Sequence, residues 1–194
     1  MDKDSRLTLP STGLAFGKPV KSNVRPHKEK PMTSALSTDV FISHSSLDKP
    51  YADLLSELLD STIDFVGGEI VSTSTTGFGL TFGEDFEKKL RECIEATYVV
   101  IPIISKNSLA SFFCGIEIGA AWGQQKPILP LLLPGFDASL LPRPLSSAHY
   151  CAWSNPLSLI QLIEEVSRAT KSKIRAKPAR ISELASRAAK FDAA

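Results

Sequence analysis

Apolar residues along this chain alternate between two arrangements: short continuous runs of β-branched and aliphatic side chains, and longer stretches in which they return every three or four positions. Residues 40–42, Val-Phe-Ile, form a run of the first kind and predict a short buried strand. Leu54, Leu55, Leu58 and Leu59 then fall on one face of a helix that starts near Asp48 and stops before Gly67. Residues 69–73 read as a second short strand, and 74–83, rich in Ser, Thr and Gly, as a loop long enough to carry function. Over 84–96 the spacing predicts a helix with Phe86, Leu90, Cys93 and Ile94 inward, its first turn holding Glu84, Asp85 and Glu87 at the positive end of the helix dipole. Residues 98–104 are nearly all β-branched or aliphatic, the pattern of a strand covered on both faces in a parallel sheet. Pro102 cannot donate to a ladder, so that strand must hold a bulge or an unpaired position there. A helix over 109–124, strands over 128–133 and, more weakly, 149–152, and a closing helix over 157–169 follow. Residues 178–191 can extend as a basic amphipathic helix through Ile181, Leu184, Ala188 and Phe191, for which the sequence names no partner.

Strand and helix therefore alternate without an internal repeat, which defines the fold class as α/β. Short right-handed crossovers favour an open, doubly wound parallel sheet of about five strands, with the first and third side by side where the strand order reverses. Ligands bind such sheets beyond the carboxyl ends of the strands at that point. Here those ends are residues 43–46 and 105–108, and the loop 74–83 leaves a neighbouring strand at the same edge.

Composition adds boundaries to this picture. With 194 residues, 43% of them hydrophobic and 22% charged, the chain can build one domain with a sizeable core plus tails. The net charge of +1 conceals an acidic body between two basic ends. Residues 1–37 carry seven basic against three acidic residues, a net +4; residues 168–194 carry eight against two, a net +6. The segment between them is left at −9. The first 37 residues, with Pro10, Pro19, Pro26 and Pro31 and no apolar periodicity, read as a disordered basic arm, 38–168 as the folded domain, and 169–194 as a basic tail with helical potential. Such tails suit nucleic acid or a protein partner, or serve as solvated ends. Only Phe16 and Phe191 interleave with their charges, so a stacking platform for single strands is not supported. The longest apolar stretch, residues 127–134, is too short to cross a bilayer, and the opening Met-Asp-Lys-Asp lacks the order of a secretory signal, so a soluble cytoplasmic protein is expected. Cys93, Cys114 and Cys151 show neither paired spacing nor histidine partners at metal spacing, and are expected as reduced thiols without a metal.

The candidate chemistry lies in two segments. Residues 39–49, Asp-Val-Phe-Ile-Ser-His-Ser-Ser-Leu-Asp-Lys, break from an apolar strand into hydroxyls and an imidazole where a helix begins; Ser43, His44, Ser45 and Ser46 can offer hydrogen bonds to a phosphate or ribose. Residues 111–117, Ser-Phe-Phe-Cys-Gly-Ile-Glu, place one carboxylate, Glu117, in an otherwise apolar helix capped by Ser111. Glu117 reads either as a surface glutamate favoured by the helix dipole or as a carboxylate facing a ribose. In the second case it can stabilise, or attack, the oxocarbenium-like centre that forms when an N-glycosidic bond breaks. Nicotinamide departs as a neutral molecule, so one glutamate can suffice where sugar hydrolysis uses a carboxylate pair. His44 is assigned no catalytic step. No G-x-S-x-G elbow supports a hydrolase triad, and Gly77, Gly79 and Gly83 are followed by no Lys-Ser/Thr of a phosphate loop. Phe78 suits a lid over a base or a surface for self-association, and Cys114 reads as packing more readily than as a reactive thiol.

These segments, with the loop ending Gly83-Glu84-Asp85-Phe86 and the Ser105-x-x-Ser108 turn, together resemble the Toll/interleukin-1 receptor (TIR) domain, in particular its bacterial branch, over residues 38–168. The resemblance implies a flavodoxin-like sheet of five parallel strands. It implies one of two activities: assembly through TIR–TIR contacts, or cleavage of NAD+, as substrate and not as cofactor, to nicotinamide and ADP-ribose or a cyclic isomer. It makes Glu117 of the C-x-x-E motif the catalytic residue, places substrate contacts at Ser43, His44, Ser45, Ser46 and Cys114, and makes 74–83 with Phe78 a lid. It further implies a site completed by self-association, an activating protein or ligand, and a role in antiphage defence. Phe113 departs from the Trp that many members carry before the Cys. A nucleoside deoxyribosyltransferase-like enzyme would share the fold and a catalytic glutamate.

Overall fold

The computed structural model describes residues 38–65, 68–72, 86–143 and 145–191. The arm 1–37, the whole of the loop 74–83 with Phe78, and the start of the second predicted helix lie outside the described residues.

Five parallel strands form the central sheet: β1 (Thr38–Ser43), β3 (Glu69–Ser72), β4 (Val99–Ile104), β5 (Leu131–Leu132) and β6 (Cys151–Ala152), in the order β3-β1-β4-β5-β6. All six residues of β1 and all six of β4 are buried, as continuous apolar runs require when helices cover both faces. Their side chains alternate between layers. Val40, Ile42, Val99, Ile101 and Ile103 pack against α1 (Lys49–Thr62) and α5 (Pro156–Thr170), while Phe41 and Val100 pack against α2 (Phe86–Ala96) and α4 (Phe112–Gly123). The strand-order reversal lies between β1 and β4.

Pro102 occupies an unpaired position and not a bulge. Val100 donates to the Pro127 carbonyl and accepts from Leu129, and by the two-residue alternation Pro102 faces the same neighbour, β5. Pairing there runs Val100 with Ile128, lapses, and resumes at Ile103 with Leu131 in unchanged register. The missing donor thus explains why a strand predicted over 128–133 contracts to Leu131–Leu132.

A bulge does occur at the start of β1, where the register to β3 slips between Thr38 and Val40. The intervening Asp39 is buried, and the Gly68 N–H donates to its carboxylate while burial pushes that carboxyl above its ordinary value. A Cβ on residue 68 would fall inside the Asp39 carboxylate. Gly68→Ala is therefore expected to destabilise the fold by about 1–3 kcal/mol, the usual cost of forcing atoms into a packed site, measured as a lower midpoint in urea.

Two features depart from the sequence pattern. Where one helix is predicted over 109–124 there are two, α3 (Lys106–Ala110) and α4 (Phe112–Gly123), separated by Ser111 in extended conformation. Ser105 caps α3 in a reciprocal capping box with Ser108, so the chain enters a helix earlier than its apolar spacing suggests; the Ser111 side chain then accepts the Cys114 N–H and starts α4. The residues after α5 also fold onto the body. Lys171 turns the chain with a left-handed φ of 55°, β7 (Lys173–Ile174) pairs antiparallel with β2 (Ile63–Asp64), and α6 (Pro178–Ala189) lies on α1 and α5. Ile181, Ala185 and Ala188 belong to the main core. The basic segment predicted as a tail is thus packed structure through Phe191, whose ring meets Tyr51 edge-on at 5.1 Å.

Candidate functional site

The carboxyl ends of β1 and β4 carry the candidate site. In α4 the buried residues are Cys114, Glu117 and Ala121, spaced to share the face turned to the sheet. Glu117 has no solvent exposure, which rules out the surface-glutamate reading. Ser43, the last residue of β1 and 1% exposed, donates its hydroxyl to Glu117 Oε2 at 2.6 Å across a sequence separation of 74 residues. A hydrogen bond of this kind offsets about 1 kcal/mol of the burial cost. Cys114 lies beside the pair. Burial pushes its thiol up and Glu117 adds to this, while a hydrogen bond with Ser111 acts the other way. Cys114 is accordingly a packed thiol and not an activated one.

The other predicted residues divide. His44 is buried, its Nδ1 3.4 Å from the Ile42 carbonyl; burial lowers its basicity, against the opposing pull of that carbonyl, Asp48 and Asp53, so the ring is held towards the neutral form. Ser45 accepts the Leu47 N–H and caps a single 3-10 turn, Ser46–Asp48, while Ser46 is exposed. The structure therefore gathers Ser43, Cys114 and Glu117 and directs Ser45 to a backbone cap; Phe78 lies outside the described residues.

Asp48 was legible only as a helix start, yet it holds the site together. It is 4% exposed and accepts from Ser105 Oγ at 2.6 Å and Asn107 Nδ2 at 3.0 Å, tying the β1–α1 connection to the β4–α3 connection. Asp48→Ala would strand the buried Ser105 hydroxyl and release the exposed Asn107 amide to solvent. A loss of about 1–3 kcal/mol is expected, read from urea unfolding, with Asp48→Asn recovering part of it.

The outward face of α4 is apolar. Phe112, Phe113 and Ile116 are 79%, 56% and 42% exposed, and a groove of about 850 Å3 runs between them and Leu90 and Arg91 of α2. Off Gly115, Gly119 and Gly123 an added Cβ would meet open space. Among the described residues no helix is long and apolar enough to cross a membrane, and no cluster of three or more His, Cys, Asp or Glu is arranged to hold a metal.

A five-stranded parallel sheet in this order is the flavodoxin-like architecture, and Glu117 and Ser43 meet at its switch point. The sequence profile of the TIR domain matches residues 40–163, and the chain belongs to that family. The chain is similar to a protein from Bacillus subtilis (strain 168), the uncharacterized protein YddK, 28% identical over 142 residues. That match covers 73% of this chain and 53% of YddK, so the chain spans about half the length of this relative. Among solved structures, the TIR domain of the Toll-related receptor TRR-2 from Hydra magnipapillata is 18% identical, with a TM-score of 0.52 over 66% of this chain and 98% of that one; this likeness concerns the fold.

Proposed function

We propose that this TIR domain cleaves the bond between nicotinamide and ribose in NAD+, with Glu117 as the catalytic carboxylate. The observation that carries this reading is the buried Glu117 at the carboxyl ends of β1 and β4, held by Ser43. A carboxylate shielded from water acts on a developing positive charge far more strongly than a solvated one. As the C1′–N bond breaks, its electron pair leaves with nicotinamide, which departs neutral, and the cationic ribose centre is stabilised by Glu117. Water attack then yields ADP-ribose and one proton; attack by an adenine nitrogen of the same molecule yields a cyclic isomer. Substrate reaches the carboxylate only with a local opening of the segments over it. The family supplies the wider reading of a cytoplasmic antiphage defence protein that self-associates, with an activating protein or ligand as trigger.

A second reading, a non-enzymatic adaptor, is favoured by the exposed Phe112, Phe113 and Ile116, a face suited to contact with another TIR domain. Purified protein incubated with NAD+ at low and high concentration distinguishes the two. Nicotinamide release that rises more steeply than protein concentration supports an enzyme assembled from several copies. No release across that range favours the adaptor, and release of base from free nucleosides instead would point to the transferase.

A further inference from the structure

A serine hydroxyl carries a single donor. That of Ser43 is directed at Glu117 Oε2, and both side chains are closed to solvent. Sequence alone makes Ser43 a contact for a ribose or phosphate; the geometry points to a different task. We propose that Ser43 is a positioning residue for Glu117 and not a substrate contact, fixing the carboxylate against the end of β1. This rests on the reading of Glu117 as the catalytic group.

Ser43 is a rigid post. It ends a central strand flanked by β3 and β4, and it is in register with Pro102. Glu117, by contrast, reaches the same point from a helix of the other layer through three rotatable side-chain bonds. A carboxylate that must face an anomeric carbon loses effect rapidly when displaced by about 1 Å. The short Ser43 bond restricts the outer torsions, and Cys114, buried one turn before Glu117 on the same face of α4, packs beside the pair. Two residues, one on β1 and one on α4, thus fix the Glu117 carboxylate, and the signal for it in the sequence is a hydroxyl at the last position of the first strand.

The test compares wild type, Ser43→Ala and Ser43→Thr by steady-state nicotinamide release, together with a crystal structure of Ser43→Ala. Expected are a fall in kcat of about 10- to 100-fold for Ser43→Ala, of the size that misplacement of a reacting group produces, a KM within about twofold of wild type, and recovery of much of kcat in Ser43→Thr, which keeps the donor. In the crystal, the Glu117 carboxylate is expected to move by about 1 Å or more. A raised KM with kcat retained would overturn the proposal and restore Ser43 as a substrate contact, as would a carboxylate that stays in place. If wild type releases no nicotinamide, it is the NAD+-cleaving reading that fails, and the position of Glu117 in the Ser43→Ala crystal decides the hydrogen bond's role by itself.

Discussion

Glu117→Gln is expected to lower nicotinamide release by roughly 100- to 1,000-fold, the range seen when a preorganised group facing developing charge is removed, while leaving the fold intact. The substitution preserves shape. It keeps an oxygen that can receive the Ser43 hydroxyl, and it replaces a buried carboxylate by a neutral amide that is cheaper to desolvate. A structural carboxylate and a catalytic one therefore part company in the same pair of experiments. If the charge served stability, the variant would melt well below wild type; if it serves the reaction, the melting temperature stays within a few degrees and activity disappears. Retention of more than a tenth of wild-type turnover would remove Glu117 from the mechanism. Parallel measurements on Ser43→Ala then separate the charge itself from its placement, because that variant keeps the carboxylate and loses the hydroxyl that aims it.

The sheet was legible in the sequence because its strands are buried on both faces, and such strands need unbroken apolar runs. Residues 40–42 and 98–104 carry that signal, and their ends located the switch point correctly. β6, two residues long, left only the weak signal expected of a brief pairing, whereas β5 is shorter than its apolar run because Pro102 on β4 withholds a donor from it. Other elements follow from hydrogen bonds that no hydrophobic period reports. The break at Ser111 depends on two successive serine caps, and the β2–β7 pair is two residues long with Asp64 and Lys173 among its members. At the site, residue type singled out Ser43 and Glu117, but not their contact, and the depth of Glu117 was invisible to a reading along one helix. Its burial comes from packing between layers. Asp48 escaped notice for a related reason: its partners, Ser105 and Asn107, lie 57 and 59 residues further along the chain.

Trp153→Ala is expected to destabilise the domain by about 3–5 kcal/mol, the usual cost of emptying a large aromatic site. Trp153 is fully buried, follows β6 in a turn, and had no periodic pattern to mark it as core. Its indole meets Tyr51 of α1 edge-on at 5.0 Å, and its Nε1–H donates to the Ala188 carbonyl near the end of α6 at 2.8 Å. Phe191 completes the cluster on the other side of Tyr51. One side chain thereby links the far edge of the sheet, the first helix and the last, and α6 lies beyond residues 40–163 that the family profile matches. Trp153→Phe keeps most of the ring volume and loses the hydrogen bond, for about 1 kcal/mol, since the Phe191 N–H still satisfies the Ala188 carbonyl. Urea unfolding followed by circular dichroism measures both. If α6 is held as these contacts require, Trp153→Ala also exposes the chain between β7 and α6 to limited proteolysis, and Trp153→Phe does so far less. Equal stability of Trp153→Ala and wild type would mean that α6 rests on the body without being held by it. Because this cluster lies on the layer of α1, α5 and α6, away from Glu117 on α4, turnover per folded molecule is expected to survive where stability does not.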